Sequence, residues 1–468
     1  MIRLWFIVLI VFYLTCQANL EANTRIAGFF PEASGEEIRL MTWDDLISYK
    51  AVELTSAYVD EDGYFQLTAD LEETRLMFFR YKHGRSFIYL DPGQSYELDF
   101  DIVNPNDSDK VRSLHPMHQG LGFDILKPAG KKDVNTLVAK MDSMVGDYLE
   151  NKVMPRPRAN HRPSLNEFRQ LTDSVFAEID HPFVNSYNVY YLAYLEATLN
   201  TRSLHDLIGD YISNQEILYH NPMFMDFFSS LFGNYVFTGT QHISRRNLHE
   251  AVNIEGSHQA LSEILGQDEV LKPARLRELV MIKSLQSMLN ISEYDNKQVL
   301  DILRYMSNEG KFGEHRKMAS NILYREKKLK PGHPAPGMVL KDEDDNVVFD
   351  LQDKKGDHVY LFFLAGWCPV SMSEIGPMAD IADRFQDELA VVGVLVDNKE
   401  SLLIFAGQDD ETLPFKIYHY GGDYRLLDDY SISTIPQYVL IDPEGNILDH
   451  PFPAPSAGVS DRLERIIR

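Results

Sequence analysis

The spacing of hydrophobic and polar positions changes twice along this chain. From about Asn23 to Asp101, apolar residues come in short or alternating runs separated by turn-forming residues. Tyr64-Phe65-Gln66-Leu67-Thr68 follows the turn Asp60-Glu61-Asp62-Gly63. Phe87-Ile88-Tyr89-Leu90 and Tyr96-Glu97-Leu98-Asp99-Phe100 flank Asp91-Pro92-Gly93-Gln94. Strands this short and closely spaced predict an all-β sandwich over residues 23–105. Over residues 131–328 the period turns helical. Val134, Leu137, Val138, Met141 and Met144 recur on one helical face, as do Leu276, Leu279, Val280, Ile282, Leu285 and Met288. Asn221-Pro222 opens another helix, with proline suited to its first turn. Methionine and aromatic stripes of this kind are the packing core of helices, not a cofactor box.

A basic, Pro- and Gly-rich stretch, Arg325 to Gly337, marks a boundary and reads as a solvated linker. Strands and helices alternate over residues 331–468. The runs Val359 to Leu364 and Val391 to Val396 are wholly apolar, as in strands buried on both faces. Helical spacing follows from Met372 to Leu389 and again from Asn398 to Ala406. Gln437 to Ile441 and Ile447 to Asp449 flank Asp442-Pro443-Glu444-Gly445-Asn446, a hairpin signal, and Asp461 to Arg468 suits a closing helix. The order predicts an α/β sheet covered on both faces. The fold class is therefore multidomain: an all-β sandwich, an α-helical middle and a C-terminal α/β domain.

At 468 residues the chain is long enough for two or three domains. Its formal net charge of −25 repels phosphate backbones, so nucleic-acid binding is set aside. Arg3 and the apolar run Leu4 to Leu14 read as an export signal, placing the protein in the periplasm or cell envelope. Cleavage after Ala18 makes residues 1–18 the signal peptide. The competing readings are a poor lipobox, Leu14-Thr15-Cys16, with Cys16 lipidated and the protein membrane-attached, and an uncleaved anchor helix. Thr15 is bulky for the lipobox, which favours simple cleavage. Scattered histidines and the lack of a Gly-rich phosphate loop give no support to a metal or a nucleotide, and no cofactor is expected. The two cysteines are Cys16 and Cys368, so the exported chain carries one usable thiol and no internal disulfide.

Cys368 stands in Ala365-Gly366-Trp367-Cys368-Pro369-Val370-Ser371, between a buried strand and a helix. This resembles the thioredoxin motif Trp-Cys-x-x-Cys with serine as its last residue. Thr434-Ile435-Pro436, just before a strand, resembles the cis-proline loop of the same family. The hairpin and Glu374, six residues after the cysteine, are similar to the TlpA/ResA-like branch of bacterial envelope thiol–disulfide oxidoreductases. The β-sandwich ahead of it resembles the layout common in envelope proteins of Bacteroidetes-type bacteria. Two departures stand out. Pro377 falls three residues after Glu374 instead of two, with Gly376 between. Phe362 stands where the family commonly buries a carboxylate, six before the cysteine. A peroxiredoxin is a poorer match, because Ala365 occupies the place of its threonine.

The resemblance implies Cys368 as nucleophile and Glu374 as proton relay. Trp367, Pro369, Ile435 and Pro436 would line the groove for a bound peptide. A cysteine at a helix N-terminus meets unpaired N–H groups and the positive end of the helix dipole, which favour a thiolate. Ser371, one turn on, is placed to donate a hydrogen bond to the sulfur. Serine cannot be oxidised, so Cys368 would form mixed disulfides that only an external thiol resolves. The expected partners are cysteine-containing envelope proteins or small thiols. A non-catalytic binding module or scaffold on the same fold is the alternative, and for Glu374 it is an exposed surface carboxylate.

Overall fold

The computed structural model describes residues 23–82, 84–103, 120–127, 133–153, 165–213, 215–239, 242–341, 346–396, 413–422, 424–432 and 434–467. The export-signal residues, Cys16 and the helix expected over Asn398 to Ala406 lie outside these. The chain forms two compact units, Met1–Arg325 and Glu326–Arg468.

Among the described residues the first unit has eight strands ahead of its helices: β1 (Asn23–Phe29), β2 (Glu37–Trp43), β3 (Ala51–Tyr58), β4 (Tyr64–Asp70), β5 (Arg75–Tyr81), β6 (Gly84–Leu90), β7 (Ser95–Val103) and β8 (Gly120–Lys127). They make two four-stranded sheets, ordered β4-β1-β7-β8 and β3-β2-β5-β6. Alternation buries one face of β1, β4 and β7, and Ile26, Leu67, Leu98 and Phe100 share a core with Leu40, Met77, Phe79 and Ile88. β8 lies beyond the expected boundary at residue 105. It pairs antiparallel with β7, Ile102 opposite Leu121 and Phe100 opposite Phe123. Its glycines, Gly120 and Gly122, had hidden that alternation.

Among the described residues ten α-helices follow: α1 (Val134–Tyr148), α2 (Asn166–Phe176), α3 (Pro182–Thr198), α4 (Leu204–Tyr211), α5 (Pro222–Phe232), α6 (Arg245–His249), α7 (His258–Leu265), α8 (Ala274–Met288), α9 (Asn296–Glu309) and α10 (Gly313–Lys327). The Asn221 side chain caps α5 by accepting the Phe224 N–H, and Pro222 occupies its first turn. Helices and sandwich do not separate at residue 131. Leu46 and Ile47, from the loop between β2 and β3, belong to the helical core. The Asn135 side chain of α1 bonds both the N–H and the C=O of Tyr89, closing the free edge of β6.

The second unit has a five-stranded sheet, ordered β13-β12-β11-β14-β15, and a small ribbon of β9 (Val339–Lys341) and β10 (Val347–Asp350). Its strands are β11 (His358–Leu364), β12 (Leu389–Leu395), β13 (Lys416–His419), β14 (Gln437–Ile441) and β15 (Ile447–Asp449). β11, β12 and β13 run parallel, whereas β14 and β15 are antiparallel to their neighbours. α11 (Pro369–Arg384) and α13 (Ser460–Ile467) cover one face, packing on Tyr360, Phe362, Tyr438 and Leu440. α12 (Tyr424–Asp429) belongs to the other, where Tyr430 at its end meets Phe363 at 5.4 Å between ring centres. Burial on both faces explains the unbroken apolar runs of β11 and β12. The expected linker is not a solvated tether throughout. Gly332 N–H donates to the Ile447 carbonyl, Ile447 N–H to the His333 carbonyl, and Ala335 N–H to the Gly445 carbonyl.

Candidate functional site: a buried thiol at a helix N-terminus

β11 ends at Leu364, and the turn Ala365-Gly366-Trp367 carries the chain to α11. Cys368 is the N-cap residue of that helix, in extended conformation (φ −91°, ψ 108°). Its carbonyl accepts the first helical bond, from the Met372 N–H, while Pro369 in the first turn brings no N–H. Cys368 is the free cysteine of the described residues and is only 6% exposed. Its sulfur lies 3.6 Å from the Ile435 carbonyl oxygen, to which it donates. The Ile435–Pro436 bond is cis. Trp367 and Val370, by contrast, are exposed on either side of the thiol.

Ser371 is fully buried, but its hydroxyl does not reach the sulfur as expected. It accepts the Ala365 N–H at 3.4 Å instead, tying the first turn of α11 back to the strand exit. Nor is Glu374 a surface carboxylate. It is buried and accepts the Ser456 N–H at 3.0 Å and the Ser456 hydroxyl at 2.5 Å. Pro377 sits inside α11, which continues to Arg384 without interruption, so the shifted proline does not break the helix.

Below the thiol the sheet supplies aromatic rings. Phe362 stacks on Tyr438, its register partner across β11 and β14, at 5.3 Å and 12°. Tyr438 is 5% exposed, and its hydroxyl has no hydrogen-bond partner among the described residues. Burial, and then the negative charges of Glu374 and Cys368, push this phenol upward. Tyr360, raised by burial and by the neighbouring Tyr438 and Glu374, donates to the Pro453 carbonyl at 2.7 Å. Across the sheet, the Gln437 amide meets His450 Nε2 at 2.8 Å, and Tyr430 donates to the Pro336 carbonyl at 2.6 Å. Burial pushes His450 below its ordinary value.

The structure thus brings Cys368, Ile435 and Pro436 together, with Ser371 and Glu374 on the same helix and Trp367 and Pro369 at its mouth. Ser456 and Tyr438 escaped the sequence analysis. Only for Tyr438 was there a signal, its place two residues after Pro436 on a buried strand. Among the described residues no group of three or more His, Cys, Asp or Glu side chains could hold a metal ion.

Comparison with known proteins places this unit among redox folds. A family model described as the AhpC/TSA family matches residues 331–450. Thiol-disulfide oxidoreductase ResA of Bacillus subtilis is 30% identical over 122 residues, 26% of this chain and 66% of that relative. Thioredoxin-like protein YneN of the same organism is 31% identical over 125 residues, 26% of this chain and 71% of that relative. The solved thioredoxin domain of a thiol-disulfide oxidoreductase from Bacteroides vulgatus is similar at 23% identity, over 30% of this chain and 99% of that one, with a TM-score of 0.26.

Proposed function

We propose, on the premise that the chain belongs by its C-terminal unit to the thioredoxin-like family, that it is an exported thiol–disulfide oxidoreductase working through one thiol, that of Cys368. One observation carries the reading: the Cys368 sulfur sits at the N-terminus of α11 and within 3.6 Å of the carbonyl that precedes a cis-proline. The first N–H groups of a helix and its dipole favour negative charge on that sulfur. The thiolate attacks a client disulfide. A new S–S bond forms to Cys368, the client's own S–S bond breaks, and the second client sulfur leaves as a thiolate that takes a proton from solvent. Ser371 stands where a resolving thiol would stand, so an external thiol must release the client. Alanine at position 365, in place of a peroxidatic threonine, argues for disulfides over peroxides as substrates. Glu374 is offered as the acid that exchanges protons with the site, and Trp367, Pro369, Ile435 and Pro436 as the client groove. Clients are cysteine-containing envelope proteins or small thiols.

The burial of the sulfur favours a second reading, a peptide-binding module without redox turnover. Exposed Trp367 and Val370 would then provide the contact, with the thiol a packed relic. Trapping separates the two. The purified protein incubated with envelope extract should form mixed disulfides that dissociate on adding reductant, and Cys368→Ala should form none. If Cys368 alkylates no faster than a model thiol and traps no partner, the oxidoreductase reading is lost and the binding module stands.

A further inference from the structure

The first unit holds a cleft of about 580 Å³ that the thiol chemistry does not use. Pockets for small ligands span roughly 300–1,000 Å³. Its walls come from the α4–α5 and α7–α8 connections and from α5, α8 and α10. Phe224 and Leu276, both buried, and the half-buried Ile217 and Val270 give it an apolar lining. One wall carries an arginine held in place. The Arg275 guanidinium lies over the Phe312 ring, 4.4 Å from its centre. Its Nη1 donates to the Tyr219 hydroxyl at 3.4 Å and to Glu314 at 3.3 Å. The Tyr219 hydroxyl is fixed in turn by His315 Nε2 at 2.8 Å, and His315 Nδ1 donates to Glu278 at 3.1 Å. Two buried polar side chains thus hold one hydroxyl and, through it, one guanidinium at the cleft. Nε and Nη2 of Arg275 have no partner among the described residues. They share one edge of the planar fork, an edge that can take a carboxylate in two parallel hydrogen bonds. Glu216 and Glu269 line the same cleft. Glu269 is paired with Lys272 at 2.5 Å, whereas Glu216 makes no ion pair or hydrogen bond among the described residues.

We propose that this cleft binds a short peptide with free termini and apolar side chains. Its C-terminal carboxylate sits on the Nε–Nη2 edge of Arg275, its N-terminal ammonium at Glu216, and its side chains on Phe224, Leu276, Ile217 and Val270. Charge selects this class. The three lining carboxylates, Glu216, Glu269 and Glu314, outnumber Arg275 and repel a dianion such as a phosphate ester. A purely cationic ligand leaves the free edge of Arg275 bare. A zwitterion with an apolar body answers both charges and the lining between them, and a single amino acid fills only part of the volume. Binding makes and breaks no covalent bond. The reading stands apart from that of Cys368, so either can fail without the other.

The test is calorimetric titration of the full chain with the tripeptide Leu-Ala-Leu. Saturable binding with a Kd of about 1 mM or tighter is expected. Amidating the peptide's C-terminus or acetylating its N-terminus should each weaken binding by about tenfold or more, the effect of losing a charged hydrogen-bond partner. Free leucine should bind at least about tenfold more weakly than the tripeptide, because it leaves much of the apolar lining uncovered. Arg275→Gln should weaken the free peptide by a similar factor and bind the amide equally well. Glu216→Gln should do the same for the acetylated form. Both side chains reach solvent, and an unchanged unfolding temperature confirms that each variant keeps its fold. Should either variant fail to fold, the blocked peptides on wild type decide alone. No saturation by about 1 mM, equal binding of the free and blocked peptides, or leucine binding as tightly as the tripeptide overturns the proposal. A penalty for amidation that persists in Arg275→Gln overturns it as well, because the carboxylate is then read elsewhere.

Discussion

At Cys368 two physical tendencies oppose each other. The helix terminus favours a charged sulfur, while burial to 6% exposure restricts attack by anything bulky. Ser371 decides what happens after attack. It is fully buried one turn into α11, three residues from the thiol, so a sulfur placed there would meet Cys368 by turning away from the Ala365 N–H that the hydroxyl accepts. Ser371→Cys should form an intramolecular disulfide under oxidising conditions, seen in intact mass as the loss of two hydrogens. It should also release trapped partners and raise disulfide reduction by on the order of tenfold with an electron donor present, the effect of about 1.4 kcal/mol in the barrier. Two free thiols after oxidation would mean that the first turn of α11 cannot bring the sulfurs together. The positions of Cys368, Ser371, Ile435 and Pro436 were legible in the sequence because a helix start and a strand start are local patterns. The surroundings of Glu374 were not. A carboxylate in a helical turn looks the same whether exposed or buried, and its partner Ser456 lies 82 residues away.

Among elements, α8 and α10 show how much a helical stripe leaves unsaid. The apolar spacing of α8 was plain, yet the same helix buries Glu278, and α10 buries His315 completely. His315 Nδ1 meets Glu278 at 3.1 Å and its Nε2 meets the Tyr219 hydroxyl at 2.8 Å, beside a cleft of about 580 Å³ lined by Tyr219, Arg275 and Glu314. Polar residues inside a stripe look like pattern noise in sequence, and only pairing across helices shows that they satisfy one another. Burial alone would raise the Glu278 carboxyl. The hydrogen bond and charge of His315, with the N–H groups of Lys311 and Phe312, hold it below its ordinary 4.5. A depressed carboxyl contributes stability that is fully present above 4.5 and is lost as pH falls through its folded value. Glu278→Gln should therefore destabilise the first unit by about 1–3 kcal/mol at neutral pH, since a charged hydrogen-bond partner is lost in a buried site. The difference from wild type should shrink as pH drops below that range. Denaturant unfolding at neutral and acid pH checks both parts, and a gap that does not depend on pH would assign the cost to packing.

Across the whole molecule, the loop between β2 and β3 joins the Asn135–Tyr89 contact in making one unit of a sandwich and a helical array that differ in hydrophobic period. Asn321 of α10 donates to Asp44 at 2.8 Å and to Asp45 at 2.9 Å, and accepts from Lys50 at 3.1 Å. The Gln286 amide bonds the Ile47 carbonyl at 2.9 Å, and Arg325 bonds that of Ser48 at 2.8 Å. Contacts between residues some 270 positions apart leave no trace in local periodicity, which is why the pattern suggested a separation here. Burial raises the Asp44 carboxyl, but Lys317, Asn321 and Lys50 together bring it below 3.8, so its contribution is present above that value and lost in acid. Asn321→Leu removes the amide that Asp44 and Asp45 share and leaves a buried carboxylate short of a donor. The expected cost to the first unit is about 2–4 kcal/mol. The second unit has its own core and sheet, so Cys368 alkylation should stay at the wild-type rate while the first unfolding transition moves to lower denaturant. A chain that starts at Glu326 should likewise fold and keep that rate. If Asn321→Leu lowers both transitions together, or the shortened chain fails to fold, then the two units unfold as one, and the thiol depends on the helices for more than its place in the chain.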